Sequence, residues 1–206
     1  CTTPEREVVV YIPAQYVPGT PAPLLVTHDA MGAHDRAPAP SLPTILDNMI
    51  ADKRLPAMIA VMVMPGGGDG PGSQRGLEYD TVSGTYADFI ESEVLPRVAK
   101  ECNVTFTTDP NARATMGGSS GGAVALSMAW FHPELYRRAL IFSGTFTNQR
   151  STPEAPHGAW EFHENLIPKT TPAKPLRLWL QVSQNDNGAT SGGAGMRNWV
   201  LASLHM

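Results

Sequence analysis

Residues 57–64 read AMIAVMVM, a run in which every side chain is apolar. A strand with one face in water alternates apolar and polar side chains, whereas an unbroken apolar run is typical of a strand buried on both faces of a parallel sheet. Such a sheet needs helices packed on each of its faces. The run therefore predicts an α/β fold.

The rest of the chain alternates between strand and helix patterns. Short β-branched or apolar runs bounded by proline or glycine predict strands, and apolar residues at helical spacing predict helices. This alternation implies right-handed crossovers and a mainly parallel sheet flanked by helices. The predicted strands are 7–13, 23–27, 57–64, 113–116, 139–143 and 176–183, and the predicted helices are 43–53, 83–102, 120–131 and the residues from 197 onwards.

The helix predicted at 83–102 carries one apolar stripe and one proline. Pro96 lacks a backbone N–H, so it predicts a kink or a local irregularity. The stripe consists of Tyr86, Phe89, Ile90, Val94 and Val98.

Length and charge limit the partners. A chain of 206 residues fits one domain, here predicted to span residues 1–206. A formal net charge of −4 offers no basic surface for nucleic acid, and no apolar run approaches the roughly 18 residues that span a bilayer. Two cysteines provide neither a disulfide framework nor a metal-ligand spacing. We expect a small-molecule substrate, and the oligomeric state stays open.

Residues 145–175 hold five prolines and two histidines with little regular pattern. We predict a lid-like excursion over the carboxyl edge of the sheet, where binding residues tend to lie. Trp160 is either a stacking platform for substrate or the closure of a small core under the lid. His163 is a candidate for substrate binding, and both His157 and His163 are candidates for a replacement base.

The glycine-rich segment 65–79 leaves the strand 57–64 at the same edge. Its Arg75 is a candidate for binding a substrate carboxylate or a sugar hydroxyl. Alternatively, Arg75 pairs with Glu78 or Asp80 and holds the loop.

The sequence MGGSSGG at residues 116–122 fits the nucleophile pattern G-x-S-x-G twice, centred on Ser119 or on Ser120. This motif forms a sharp turn between a strand and a helix, with small neighbours because the backbone passes close on both sides. A glycine–serine turn without chemistry is the alternative. The flanking strand and helix favour the nucleophile, without distinguishing the two serines.

The stretch 113–148, RATMGGSSGGAVALSMAWFHPELYRRALIFSGTFTN, resembles the enterochelin esterase and esterase D group of α/β hydrolases, which is similar to carbohydrate esterase family 1. The resemblance implies an α/β-hydrolase fold and a serine esterase without a cofactor or metal. Read as G-G-x-S-x-G-G, the family pattern implies that Ser120 is the nucleophile and carries the acyl group. Relatives are often periplasmic or secreted, and the ester stays open.

The fold also predicts the other site residues. The oxyanion needs the N–H that follows the nucleophile, here Gly121, and a second N–H from the loop after an early strand. Relatives carry D-G-x in that loop, which implies Met31 as the second donor. In the order serine, acid, histidine, the acid is Asp186 after the strand 176–183. The alternative for Asp186 is an exposed turn aspartate.

The histidine base has no good candidate after Asp186, since His205 lies on a predicted helix. The resemblance implies a glycine–histidine segment further downstream, so we expect the base beyond Met206. The alternative is a non-catalytic binding module on a hydrolase scaffold that lacks the base.

Overall fold

The computed structural model describes residues 6–29, 40–68, 72–186 and 198–206. The strands are β1 (Val8–Tyr11), β2 (Pro21–Ala22), β3 (Leu24–His28), β4 (Ile59–Val63), β5 (Thr105–Phe106), β6 (Arg113–Gly118), β7 (Arg138–Phe142) and β8 (Arg177–Gln181). The helices are α1 (Leu42–Ala51), α2 (Gln74–Tyr79), α3 (Thr85–Phe89), α4 (Leu95–Cys102), α5 (Ser120–Phe131) and α6 (Trp199–His205).

Six strands form the main sheet, in the order β1-β4-β3-β6-β7-β8. All neighbours in it are parallel except β1, which runs antiparallel to β4 at the edge. β2 and β5 form a separate parallel pair. The predicted α/β fold with a mainly parallel sheet is confirmed, and each predicted strand and helix overlaps an observed one.

The apolar run that predicted the fold lies in the centre of the sheet. Every residue of β4 is buried. Ile59, Val61 and Val63 face one hydrophobic cluster, with α5, whereas Ala60 and Met62 face a second cluster, with α1. Successive side chains of a strand point to opposite faces, so a strand between two helical layers needs an apolar residue at each position.

α5 is buried on nearly its whole circumference, from Ser120 to Trp130. A helix that is apolar all round belongs in the interior of a protein. Its first turn is made of small residues, which lets its backbone lie close to β6 and β7.

The helix predicted at 83–102 contains the irregularity expected from Pro96. α3 and α4 are joined by a π-helical turn at Ile90–Val94, which ends two residues before Pro96. A proline cannot donate the next helical hydrogen bond, and a wider turn accommodates its ring. Of the predicted stripe, Phe89 is half-buried and the other four side chains are buried.

Two features differ from the sequence prediction. α2 lies in the segment 65–79, which was predicted only as a loop; its N-cap is Ser73, whose Oγ accepts a hydrogen bond from the Gly76 N–H at 3.1 Å. The second feature is the excursion 145–175, which was predicted to have little regular structure but contains a 3₁₀ turn at Gly158–Trp160 and a π-helical turn at Phe162–Leu166.

None of the helices in the described part of the chain has the length and apolar character needed to span a bilayer.

Candidate active site

The turn between β6 and α5 places one serine in a strained backbone conformation. Ser119 has φ 56° and ψ −131°, a region that non-glycine residues rarely adopt. Such strain persists only where the surrounding structure enforces it, and it is concentrated at functional sites. The sharp strand-to-helix turn expected of a nucleophile motif is therefore present, with Ser119 at its apex.

Four backbone hydrogen bonds hold Ser119 in place. Its N–H donates to the Phe142 carbonyl at 3.1 Å. Its carbonyl accepts from the N–H groups of Gly122 at 2.9 Å, Thr145 at 3.0 Å and Ala123 at 3.2 Å. The turn is thus fixed by α5 on one side and by the segment after β7 on the other.

The glycines of the motif are required by close backbone contacts. A Cβ on Gly117 would lie 2.2 Å from the Gly121 carbonyl oxygen. A Cβ on Gly122 would lie 3.0 Å from Ile141 Cγ2 and 3.1 Å from Gly144 Cα. The contact at Gly117 leaves no room for a side chain, and those at Gly122 would force its neighbours to shift, so the tight turn depends on glycine at position 117 above all.

The two serines of the motif occupy different environments. Ser119 is half-buried, and its Oγ lies 3.4 Å from Thr145 Oγ1. Ser120, the nucleophile predicted from the sequence, is the first residue of α5 and is buried, with 6% of its surface exposed. The backbone strain and the greater exposure both belong to Ser119.

The end of β3 forms one flank of this turn. Asp29 has a left-handed backbone, with φ 59°, and its carboxylate forms a bidentate ion pair with Arg75 of α2. The sequence prediction for Arg75 was a substrate contact or a pair with Glu78 or Asp80, and it missed the pairing with Asp29. Met31, predicted as the second oxyanion donor, lies outside the described residues.

His28, the last residue of β3, is completely buried. Its ring packs edge-on against Tyr79 and Tyr86, with ring centroids 5.6 Å and 5.4 Å away. Burial lowers the pKa of His28 to about 3 because the charged imidazolium is excluded from water. His28 is therefore a neutral packing residue at neutral pH, and its environment does not suit a general base.

Asp186 lies on the other flank, after β8. Its Oδ2 accepts hydrogen bonds from Ser143 Oγ and from the Ser183 N–H, both at 2.7 Å. Ser143 follows β7 with φ 47°. Because β6, β7 and β8 are adjacent and parallel, Ser119, Ser143 and Asp186 follow one another along the carboxyl edge of the sheet.

The excursion 145–175 is packed onto the core rather than standing away from it. Phe146 and Phe162 are fully buried, and Phe162 packs against Trp130 of α5. Trp160 is half-buried against the same core and lies 4.2 Å from the ring of His163. These contacts agree with Trp160 closing a small core, the second of its two predicted readings.

The His163 ring lies between the rings of Trp160 and His205, and the centroids of the two imidazole rings are 5.5 Å apart. Burial, followed by the nearby His205, lowers the pKa of His163. Its Nε2 is buried and has no hydrogen-bond partner among the described residues. A role for His163 in binding substrate stays a prediction.

One cluster of potential metal ligands occurs in the described ranges. Single side-chain atoms of His157, Glu161 and Glu164 lie within 4.8 Å of one another. His157 Nδ1 is 2.6 Å from Glu164 Oε2, and this hydrogen bond raises the pKa of His157. Asn165 and the His157 N–H bind the buried Glu161 carboxylate. Both carboxylates therefore already accept hydrogen bonds from other groups of the protein.

A family model described as "Putative esterase" matches residues 2–196. No curated protein matches the chain in sequence at a significant level. The fold is similar to that of solved esterase structures, which confirms the predicted α/β-hydrolase fold and the resemblance to enterochelin esterases.

Three solved structures show the range of the similarity in fold. Enterochelin esterase from Shigella flexneri has a TM-score of 0.63 and 21% identity over 84% of this chain and 40% of its own. Ferric enterobactin esterase from Salmonella typhimurium has a TM-score of 0.56 and 22% identity over 68% and 33%. BES protein from Bacillus cereus has a TM-score of 0.53 and 15% identity over 94% and 90%. The chain thus spans about two fifths of the length of the Shigella esterase.

Proposed function

The chain belongs to this esterase family, and we propose that it is a serine hydrolase that cleaves a carboxylic ester through an acyl-enzyme on Ser119. The observation that carries the proposal is the strained backbone of Ser119 at the turn between β6 and α5. In hydrolases of this fold, such a turn exposes the nucleophile above the sheet.

We assign the nucleophile to Ser119 in place of Ser120, the residue predicted from the sequence. Both serines satisfy G-x-S-x-G, but the motif requires its serine at the strained apex. Ser120 is the first residue of α5 and is buried, so an ester carbonyl has little access to its hydroxyl. Ser119 is only partly buried, and its Oγ lies beside Thr145 at the carboxyl edge of the sheet.

This assignment also moves one oxyanion donor. The donor is the N–H of the residue after the nucleophile, which becomes Ser120 instead of Gly121. Ser120 is the first residue of α5, and the first N–H groups of a helix have no partner within the helix and point towards an incoming anion. The second donor remains a prediction for the loop that follows Asp29, with Met31 as the candidate.

The reaction follows from these positions. Ser119 Oγ attacks the ester carbonyl carbon while its proton passes to a base, and the carbonyl oxygen becomes an oxyanion. The C–O bond to the alcohol then breaks, and the base returns the proton to the departing alkoxide. Water cleaves the acyl-enzyme by the same steps and regenerates the serine.

Asp186 is proposed as the acid that orients the histidine base and stabilises its imidazolium form. Its carboxylate lies at the correct edge of the sheet and accepts hydrogen bonds from two neutral donors. The histidine itself stays a prediction for sequence beyond Met206. A glycine–histidine segment encoded there would complete the proposed triad.

The decisive experiment compares the two serines in the full-length gene product. We expect the wild-type protein and Ser120→Ala to hydrolyse p-nitrophenyl acetate, and Ser119→Ala to lose about 10³-fold or more in kcat. A serine-directed phosphonate should label Ser119, as mapped by mass spectrometry of peptides. Loss of activity in Ser120→Ala alone, with Ser119→Ala active, would reverse the assignment.

The same experiment separates the esterase from the non-catalytic binding module. In the described ranges, Ser119 Oγ has a hydrogen bond with Thr145 and none with a histidine, which is the observation that favours the module. A wild-type protein that neither turns over ester nor reacts with the phosphonate is a binding module. Phosphonate labelling of Ser119 with measurable turnover supports the enzyme.

A further inference from the structure

The ion pair between Arg75 and Asp29 joins two distant parts of the chain at the nucleophile turn. Arg75 Nε lies 2.8 Å from Asp29 Oδ1, and a second guanidinium nitrogen lies 2.8 Å from Asp29 Oδ2. The two side chains are 15% and 30% exposed, respectively. A bidentate pair that is largely withdrawn from water is stronger and better oriented than a surface pair.

α2 holds the backbone of Asp29 as well as its side chain. Tyr79 lies four residues after Arg75, hence on the same face of α2. Its hydroxyl accepts a hydrogen bond from the Asp29 N–H at 3.2 Å, and its ring lies under the Arg75 guanidinium at 5.3 Å. The buried ring of His28 packs against Tyr79 and fixes the residue that precedes Asp29.

The Asp29 carboxylate is close to the first turn of α5. A Cβ placed on Gly121 would lie 3.1 Å from Asp29 Oδ2 and 3.2 Å from His28 Cβ. Gly121 directly follows Ser120, the proposed oxyanion donor. An unneutralised carboxylate here would repel the negative charge that forms on the substrate oxygen.

We propose that Arg75 is a positioning residue for ester hydrolysis, which neutralises the Asp29 carboxylate beside the oxyanion hole and holds it against α2. The inference rests on the proposed function, since it concerns charge that develops only during acyl transfer. It gives Arg75 a role through Asp29 rather than through direct contact with substrate. Loss of Arg75 should lower kcat rather than raise KM, because the repulsion is absent in the uncharged ester.

The test uses Arg75→Ala, Arg75→Lys and the double variant Arg75→Ala/Asp29→Asn in the full-length gene product, with p-nitrophenyl acetate as substrate. Arg75→Ala is expected to lower kcat by about tenfold to a hundredfold with little change in KM. Arg75→Lys restores the charge without the bidentate geometry and gives an intermediate kcat. The double variant removes the uncompensated charge, so its kcat exceeds that of Arg75→Ala.

Arg97→Ala is the matched control, because Arg97 is an exposed arginine paired with Glu101 away from the site. Melting temperatures of all variants identify any loss of folding, and Arg75→Lys carries the test if Arg75→Ala is unfolded. A kcat for Arg75→Ala equal to that of Arg97→Ala overturns the inference, as does a double variant no faster than Arg75→Ala. A wild-type protein without turnover and without phosphonate labelling removes the proposed function and this inference together.

Discussion

Two aspartates flank the turn at Ser119, and their carboxylates have partners of different charge. Asp29, after β3, is paired with the Arg75 guanidinium, whose charge is opposite to that of the carboxylate. Asp186, after β8, is held by the Ser143 hydroxyl and the Ser183 N–H, and within the described ranges it has no cationic partner. The same residue type therefore has different partners on the two sides of Ser119.

The difference follows from what each side of the proposed reaction needs. The oxyanion side develops negative charge, so a neighbouring carboxylate has to be neutralised. The base side develops an imidazolium, which an ionised carboxylate stabilises. The neutral donors orient the Asp186 carboxylate without neutralising its charge. The bidentate arginine orients the Asp29 carboxylate and also neutralises it. Neither aspartate could replace the other without a change in its partners.

The largest expected effect comes from replacing the two aspartates in turn. Asp186→Asn should lower kcat for p-nitrophenyl acetate by about 10³- to 10⁴-fold, because the histidine loses its orientation and its counter-charge. Asp29→Asn should stay within about tenfold of wild type, because an asparagine oxygen still accepts a hydrogen bond from Arg75. Steady-state kinetics measure both values. Equal losses in the two variants would abolish the contrast between the flanks.

The second effect concerns stability at acid pH on the Asp29 flank. The folded-state pKa of His28 is about 3, against 6.5 for a solvent-exposed histidine, so the unfolded chain takes up this proton first as the pH falls. The stability that neutral His28 provides is present above pH 6.5 and is lost as the pH falls towards 3. In His28→Leu the free energy of unfolding should fall less steeply, by up to about 1.4 kcal/mol per pH unit.

The measurement is urea unfolding of the wild type and of His28→Leu at about pH 7, 5.5 and 4.5. These pH values lie on both sides of roughly 6.5, the pKa of an unfolded histidine. Other groups titrate in the same range, but they are common to both proteins and cancel in the difference. Parallel pH profiles would show that His28 takes up its proton equally in the folded and unfolded states.

A smaller effect is expected from the donors that hold Asp186. Ser143→Ala removes the hydroxyl that donates at 2.7 Å and leaves the Ser183 N–H, so kcat should fall by about tenfold. Ser92→Ala is the control, because Ser92 is exposed and its hydroxyl donates to the Asp88 carbonyl, away from Asp186. If both variants match the wild type, the Ser143 hydroxyl has no part in positioning the acid.

The smallest effect is expected at an exposed ion pair far from either flank. Arg97 and Glu101 are 77% and 60% exposed, so Arg97→Ala should change the free energy of unfolding by less than about 0.5 kcal/mol. Arg75→Ala should be more destabilising, because its pair is largely buried. Denaturant unfolding at low and high salt compares the two, since salt screens only the exposed pair effectively. Equal changes in the free energy of unfolding would show that the Arg75 pair stabilises the protein no more than a surface pair does.

The sequence by itself determined the architecture. Apolar residues in 57–64 could only be buried on two faces, and that requirement gave the central strand and the helical layers beside it. The apolar stripe of 83–102 and its Pro96 predicted both the helix and its irregular turn. α2 was missed because it has only six residues, fewer than two turns, and contains Gly76, so no periodic pattern could reveal it.

Only the tertiary structure decided the finer arrangement at the site. The motif of residues 117–122 satisfies the nucleophile pattern in two registers, and backbone contacts from Phe142 and Thr145 put the strained apex at Ser119. Arg75 lies 46 residues from Asp29 in sequence, and Ser143 lies 43 residues from Asp186. Local propensity carries no information on such pairs, because they form only when parallel strands bring their carboxyl ends to one edge.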